Sequence, residues 1–292
     1  MNWTNNNRGL ACTAFFLMFL AVPSWMQATE NPHLDNISRA LDASAYTSRE
    51  RSDINARAVA AVNAGMPADD AEIVITRGLS RNTDADMIIR LLAICVTAMQ
   101  EGLPVGPVLD RIEQGLSKGV PEERIAAASE RLVETLRTAR PLVDRLIRDG
   151  LKPARNSERD EATASTARAL EKSIPADALR EMGATIRAQG GSLRLFARAA
   201  DTQAYFAARG MSVQTATHLV RKAVAQGSTG QHLDAMVRRM DAELKKGTRV
   251  EDAATMMGRD DTGRDSGRGD LRQEMRTDHG RGAGGGMGGR GR

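Results

Sequence analysis

Three short stretches constrain this chain more than any others: Gly65-Met66-Pro67, Gly102-Leu103-Pro104 and Gly119-Val120-Pro121. Each lies between two amphipathic helical patterns. Glycine accepts the left-handed conformation that ends a helix, and the apolar residue after it folds back on the last turn. Proline at the first helical position loses no hydrogen bond, because that N–H has no intrahelical partner. Each junction therefore stops one helix and starts the next almost at once. The junctions dictate tightly turned, all-helical structure and carry no chemistry of their own.

The composition points the same way. Aromatic residues make up only 3% of the chain, so a core must be built from Leu, Ile, Val, Met and Ala. Such side chains suit helix-on-helix packing and fit a β-sandwich poorly. The apolar spacing predicts helices over residues 36–47, 51–64 and 67–80, the last with Ile73, Val74 and Leu79 inward. A helix capped by Thr83 or Asp84 and running to Glu101 is apolar almost all round, as expected of a central, covered element. Further helices are predicted over 104–118 and from Pro121 onward, with Pro141 expected to kink or break the last. The polar stretch 152–166 (KPARNSERDEATAST) reads as an internal joint.

Beyond that joint the pattern returns in register. Ser173-Ile174-Pro175 follows Gly65-Met66-Pro67 at an offset of 108 residues, and Gly210 follows Gly102 and Gly227 follows Gly119 at the same offset. Core positions keep that register, with Val213 matching Val105 and Leu233 matching Ile125. The expected fold is all-α: an array of helical hairpins resembling an α-solenoid of the HEAT-type class, in two related copies. That likeness is architectural and carries no function. The organisation expected is a signal peptide over 1–28, a first helical unit over 29–150, the joint over 151–166, a second unit over 167–257 and a disordered tail over 258–292. The structural junction residues are Gly65, Pro67, Gly102, Pro104, Gly119, Pro121, Pro175, Gly210 and Gly227.

The two ends set the expected location. Arg8 precedes an apolar run over 10–22, too short for a membrane span and suited to a secretory leader. Cleavage is expected after Ala28, with Ser24 as the second choice and a short uncleaved anchor as the alternative. The chain is then exported, periplasmic or extracellular. Removing the leader takes Cys12 and leaves Cys95 as the single cysteine, so the fold rests on its core without a disulfide. The tail from Gly258 consists largely of Gly, Arg and Asp, with eight arginines against six acidic residues. It offers too little apolar surface to offset the entropy of ordering.

No stretch carries recognisable chemistry. Asn82-Thr83-Asp84-Ala85-Asp86 resembles the opening of a calcium loop, but Met87 stands where glycine is required, so helix capping explains it. His33, His218, His232 and His279 show no metal-ligand spacing. No nucleophile elbow, Walker loop or dinucleotide fingerprint occurs, and Gly190-Gly191-Ser192 reads as a helix–helix turn. Cys95 is expected to be an inert core thiol. Asp69/Asp70 and Glu122/Glu123 sit in first helical turns, where the helix dipole favours them. No catalytic, metal or cofactor-binding residue is therefore expected. The expected function is a non-enzymatic interaction module or scaffold with a protein partner. Nucleic acid is not expected as a partner, since the tail lacks aromatic side chains between its arginines. Weak attraction of the last arginines to an anionic envelope surface is one alternative, and a helical enzyme of unrecognised type is another.

Overall fold

The computed structural model describes residues 31–260 as twelve helices with no strand among the described residues. The protein is all-α. The leader expected over 1–28 and the tail beyond residue 260 lie outside the described residues. Gly258, where the composition changes, is not outside the fold. It belongs to the last turn of α12 (Val250–Asp260), and Lys222 Nζ donates to its carbonyl at 2.8 Å.

The junctions show how local chemistry sets the path. At the end of α5 (Gly106–Ser117) Gly119 has a φ of 73°, its N–H reaches Leu116 O, and the Val120 N–H reaches Gly115 O at 3.0 Å. This is the two-bond Schellman closure. The same pair of bonds ends α2 (Ser48–Asn63) at Gly65 and α4 (Ala85–Gln100) at Gly102. The apolar residue that follows is pinned down: Met66 is 2% exposed, Ile174 1% and Met211 3%. The prolines sit differently from expectation. Pro67, Pro121 and Pro175 are N-caps with extended ψ, one position ahead of the first helical residue, and α5 begins at Gly106 with Val105 as its cap. The cost of the missing N–H is nil in either position.

Two expectations are corrected. Helix α6 (Glu122–Arg148) continues through Pro141, so the break expected there does not occur. A proline inside a helix costs about 3 kcal/mol. Leu132, Val133 and Leu136 are buried before it and Leu142, Val143 and Leu146 after it, each contributing roughly 1.5–3 kcal/mol, so burial wins. The polar stretch 152–166 is not a joint either. From Ser157 it forms α7 (Ser157–Glu171), in which Thr163, Ser165 and Thr166 are buried with Ala162 and Ala167. Two of the hydroxyls are accommodated, since Thr163 donates to Arg159 O at 2.8 Å and Ser165 to Asp201 at 2.9 Å, while Thr166 Oγ1 is buried with no hydrogen-bond partner among the described residues. Composition alone misjudged side chains that are polar but small.

The packing forms two rows. The first holds α1 (Pro32–Asp42), α3 (Ala68–Ser80), α5, α8 (Ala176–Ala188), α10 (Val213–Ala225) and α12. The second holds α2, α4, α7, α9 (Leu193–Ala208) and α11 (Gly230–Lys245). Within each row neighbouring helices pack on one another except in the middle, where the long α6 intervenes, contacting α4 and α7 in one row and α5 and α8 in the other. The core divides within α6. Residues up to Ala139 pack with α1–α5, and residues from Leu142 pack with α8–α12. Ala167 of α7 belongs to the first cluster while Ala162 and Ala169 belong to the second, so α7 bridges them. Within α3 the inward residues are Val74 and Ile75, whereas Ile73 is 38% exposed, a shift of the apolar stripe by about half a turn.

Helix bounds recur at the offset seen in the sequence. Helices α3 and α8, and α4 and α9, begin and end 108 residues apart. A shorter interval lies inside it. Residues of positive φ fall at 65, 102, 173, 210 and 247 in one series and at 82, 119, 190 and 227 in another, with Gly150 outside both. Neighbours within a series are 37 apart, except for one step of 71 in the middle of each. In the first series the skipped place is 139, where Ala139 stands two residues ahead of Pro141, as Gly102 stands ahead of Pro104. With no glycine to reverse the chain, two helices run on as one.

Candidate interaction groove

A groove with an apolar floor lies across α7, α9 and α11. It begins with small side chains. Helix α7 buries alanines, serine and threonines, and α9 buries Ala197, Ala199 and Ala200. The distance between helix axes follows the side chains at the contact, and among the described residues α7 and α9 make the most extensive helix–helix contact. Helix α11 lies on the other flank of α9, leaving a cleft of about 480 Å³. Its floor is Thr202, Ala204, Ala208 and Val237.

A ladder of ion pairs crosses the cleft. Arg111 of α5 reaches both carboxylate oxygens of Glu171 of α7, at 3.0 and 3.2 Å. Arg168 of α7 binds Asp201 of α9 in bidentate fashion, Nε at 2.8 Å and Nη2 at 3.1 Å, while Ser165 donates to the same carboxylate. Arg198 of α9 stands 3.8 Å from Asp234 of α11. Each helix thus offers an arginine to an acidic residue of the next. The pairs are exposed enough that each is worth only about 0–1 kcal/mol. Their larger effect is to hold the rim charges in fixed places. Lys172, at the end of α7, also lines the cleft and makes no ion pair among the described residues.

Tyr205 forms one wall. Its hydroxyl donates to Asp241, the Arg209 guanidinium lies 5.0 Å from the ring centre, and Arg209 also pairs with Asp241 at 3.0 Å. Burial, and then the bond to Asp241, hold the phenol above its ordinary pKa. The ring therefore stays neutral at physiological pH and presents a fixed, flat face.

None of the sequence-derived junction residues lines this cleft. Gly65, Gly102, Gly119, Gly210 and Gly227 sit at helix ends, with Pro67, Pro104, Pro121 and Pro175 close by. The cleft residues were missed because each is an ordinary charged or small residue. A signal did exist: Ser165 and Asp201, Arg198 and Asp234, and Tyr205 and Asp241 are each partners separated by 36 residues.

The other features singled out fall elsewhere. Cys95 is buried in α4, and burial, chiefly, pushes its thiol up to about 12. His218 lies on α10 and His232 on α11, and no group of three metal-binding side chains is placed together among the described residues. No helix among the described residues is long and apolar enough to cross a membrane. Asp70 is held above the usual carboxylate range, first by burial and then by Asp69, Asp110 and Glu113. No family model, no curated protein and no solved structure matches this chain.

Proposed function

We propose that this is an array of stacked helical hairpins, an α-solenoid, that works as a non-enzymatic interaction module and holds a polypeptide partner against its more closely packed row. The observation that carries the reading is the 37-residue recurrence of helix ends combined with two-row packing. In such stacks each hairpin contacts only its neighbours, and the row whose helices approach closest forms the inner, binding face. The cleft over α7, α9 and α11 lies on that row. The large apolar burial in α4 and α9 serves the stack, whereas the ion-pair ladder faces outward and Tyr205, packed on one side against the second core, carries its hydroxyl to the rim. Export through the leader, with the mature chain starting near Thr29, remains part of the proposal, and N-terminal sequencing of the native protein reads it directly.

The experiment is to pan a random peptide library against the purified protein and map the retained peptides by amide hydrogen exchange. Protection concentrated on α7, α9 and α11 is the expected result. Protection confined to α8, α10 and α12, or a library from which nothing is retained, overturns the reading.

A further inference from the structure

We propose that the cleft over α7, α9 and α11 selects acidic peptide segments. This rests on the reading of that cleft as a polypeptide site and adds the chemistry of the partner.

The shape comes first. The cleft has a volume of about 480 Å³, within the range of clefts that take a ligand the size of a few peptide residues. The floor of Ala204, Ala208 and Val237, walled by the Tyr205 ring, offers a seat for an apolar side chain.

The charge comes next. The lining holds four cations, Arg111, Arg168, Lys172 and Arg198, against three anions, Glu171, Asp201 and Asp234. Every one of those carboxylates already has an arginine beside it. An incoming cation therefore meets acceptors that are already engaged, and it meets the Lys172 ammonium, which has no ion-pair partner among the described residues, as a like charge. An incoming carboxylate meets that ammonium, and the guanidiniums retain donors beyond those the ladder uses. Complementarity of this kind sets partner choice more than raw affinity. It also argues against the protein's own terminal segment as the occupant, because residues 258–292 carry eight arginines and six acidic residues.

The test uses the full chain and three fluorescein-labelled peptides of equal length. Each alternates leucine with one polar residue: glutamate, glutamine or lysine. Binding is read by fluorescence anisotropy at low and at moderate salt. The glutamate peptide is expected to bind about tenfold more tightly than the lysine peptide, with a preference that shrinks as salt rises. Lys172→Glu is expected to weaken the glutamate peptide by about fivefold while leaving the glutamine peptide unchanged. Lys172→Gln gives part of that loss and guards against a folding defect in the reversal. Ala208→Trp, at an exposed position that fills the floor, is expected to abolish binding of all three. Equal binding of the three peptides that Ala208→Trp still blocks sinks the acidic preference but leaves the cleft as a peptide site. Binding that survives Ala208→Trp places the site elsewhere and overturns the proposal. If no peptide binds, this proposal and the reading beneath it both fail.

Discussion

Helices α4 and α9 are both 16 residues long, begin 108 residues apart and hold corresponding places in the same row, yet they are filled differently. Where α4 has Leu91, Leu92, Ile94 and Val96, α9 has Ala199, Ala200, Thr202 and Ala204. Where α4 has Ala98, α9 has Phe206. The volume has moved from one side of the helix to another. In α4 the branched aliphatic side chains fill the space toward both neighbours. In α9 the two phenylalanines carry the core, and the alanines let α7 close in and leave room over Ala204 and Ala208. The surface changes with it: Ala93 and Thr97 correspond to Asp201 and Tyr205, two members of the cleft. One backbone arrangement therefore gives a sealed element in the first half and an open, charged one in the second. The side chains, not the path of the chain, make the difference.

The sharpest way to break this comparison is Phe206→Ala, which gives α9 the residue that α4 carries. Phe206 is fully buried. If it holds the second core as argued, the substitution costs about 3–5 kcal/mol in urea unfolding. A loss below about 1 kcal/mol would mean that neighbouring side chains close the gap, and that the core of the second half does not depend on its aromatic anchors.

A smaller contrast concerns two helical glycines. A Cβ added at Gly115 would stand 2.7 Å from Ile125 Cγ1 and 3.2 Å from its Cγ2, so the whole branched side chain is in the way. Gly78 meets Ile88 in the same manner 37 residues earlier. A β-branched side chain in a helix has one strongly preferred rotamer and cannot step aside. Gly115→Ala is expected to cost about 1–2 kcal/mol, overpacking outweighing the gain in helix propensity. At Gly183 the obstacle is the end of Leu146, which borders an open pocket and can swing. Gly183→Ala is expected to lie within about 0.5 kcal/mol of the parent, strain and propensity nearly cancelling. Stabilisation by Gly115→Ala would show that Ile125 moves freely.

Cys95 and Gln203 occupy matching positions, and both are fully buried. The thiol suits its apolar site. The glutamine does not: among the described residues its amide N–H₂ donates only to Met182 Sδ at 3.3 Å, and its carbonyl oxygen has no partner. Replacing an unsatisfied buried amide by an apolar side chain of similar size removes a desolvation penalty of about 1–3 kcal/mol, of which the weak bond to sulfur returns part. Gln203→Met should therefore raise stability by about 1 kcal/mol. A loss of stability would indicate that the amide holds a water or a partner that matters to the second half.

Much of the fold was legible, and the reasons divide by residue. Gly119 and its relatives could be read because a left-handed helix end has few substitutes, so the chemistry leaves a recognisable letter. The apolar run of α4 was legible for the same reason. Helix α7 was not, because Ser165 and Thr166 look like loop residues until a neighbour such as Asp201 supplies a partner or close packing hides them. Pro141 misled because its cost is local while the burial that offsets it is spread over both cores. The cleft was the least legible part. Its arginines and aspartates acquire meaning only as partners 33 to 60 residues apart. The 37-residue interval was obscured by the missing turn at Ala139, which left the threefold multiple, 108 with one short hairpin, as the visible register.

The smallest expected effect lies at Asp70, whose counterpart 108 residues on is Ala178. Two influences oppose each other there. The start of α3 favours a negative charge through the helix dipole. Burial, followed by Asp69, Asp110 and Glu113, disfavours it, and the net result is a raised pKa. A carboxyl whose folded pKa is raised destabilises the fold when ionised. That penalty is present at neutral pH and disappears as pH falls through the raised folded value toward the unfolded one. Glu101 and Glu243 have lowered values, through hydrogen bonds from Arg137 and Lys246, so their contributions run in the opposite sense and are lost on acidification. Asp70→Asn should accordingly be more stable than the parent at pH 7, by on the order of a few tenths of a kcal/mol because solvent screens the site. The difference should close as both proteins are taken into the acid range. If the variant is instead less stable at pH 7 and the gap still closes in acid, the dipole of α3 outweighs its acidic neighbours. The first half of the protein would then match the second in electrostatics where it differs in packing.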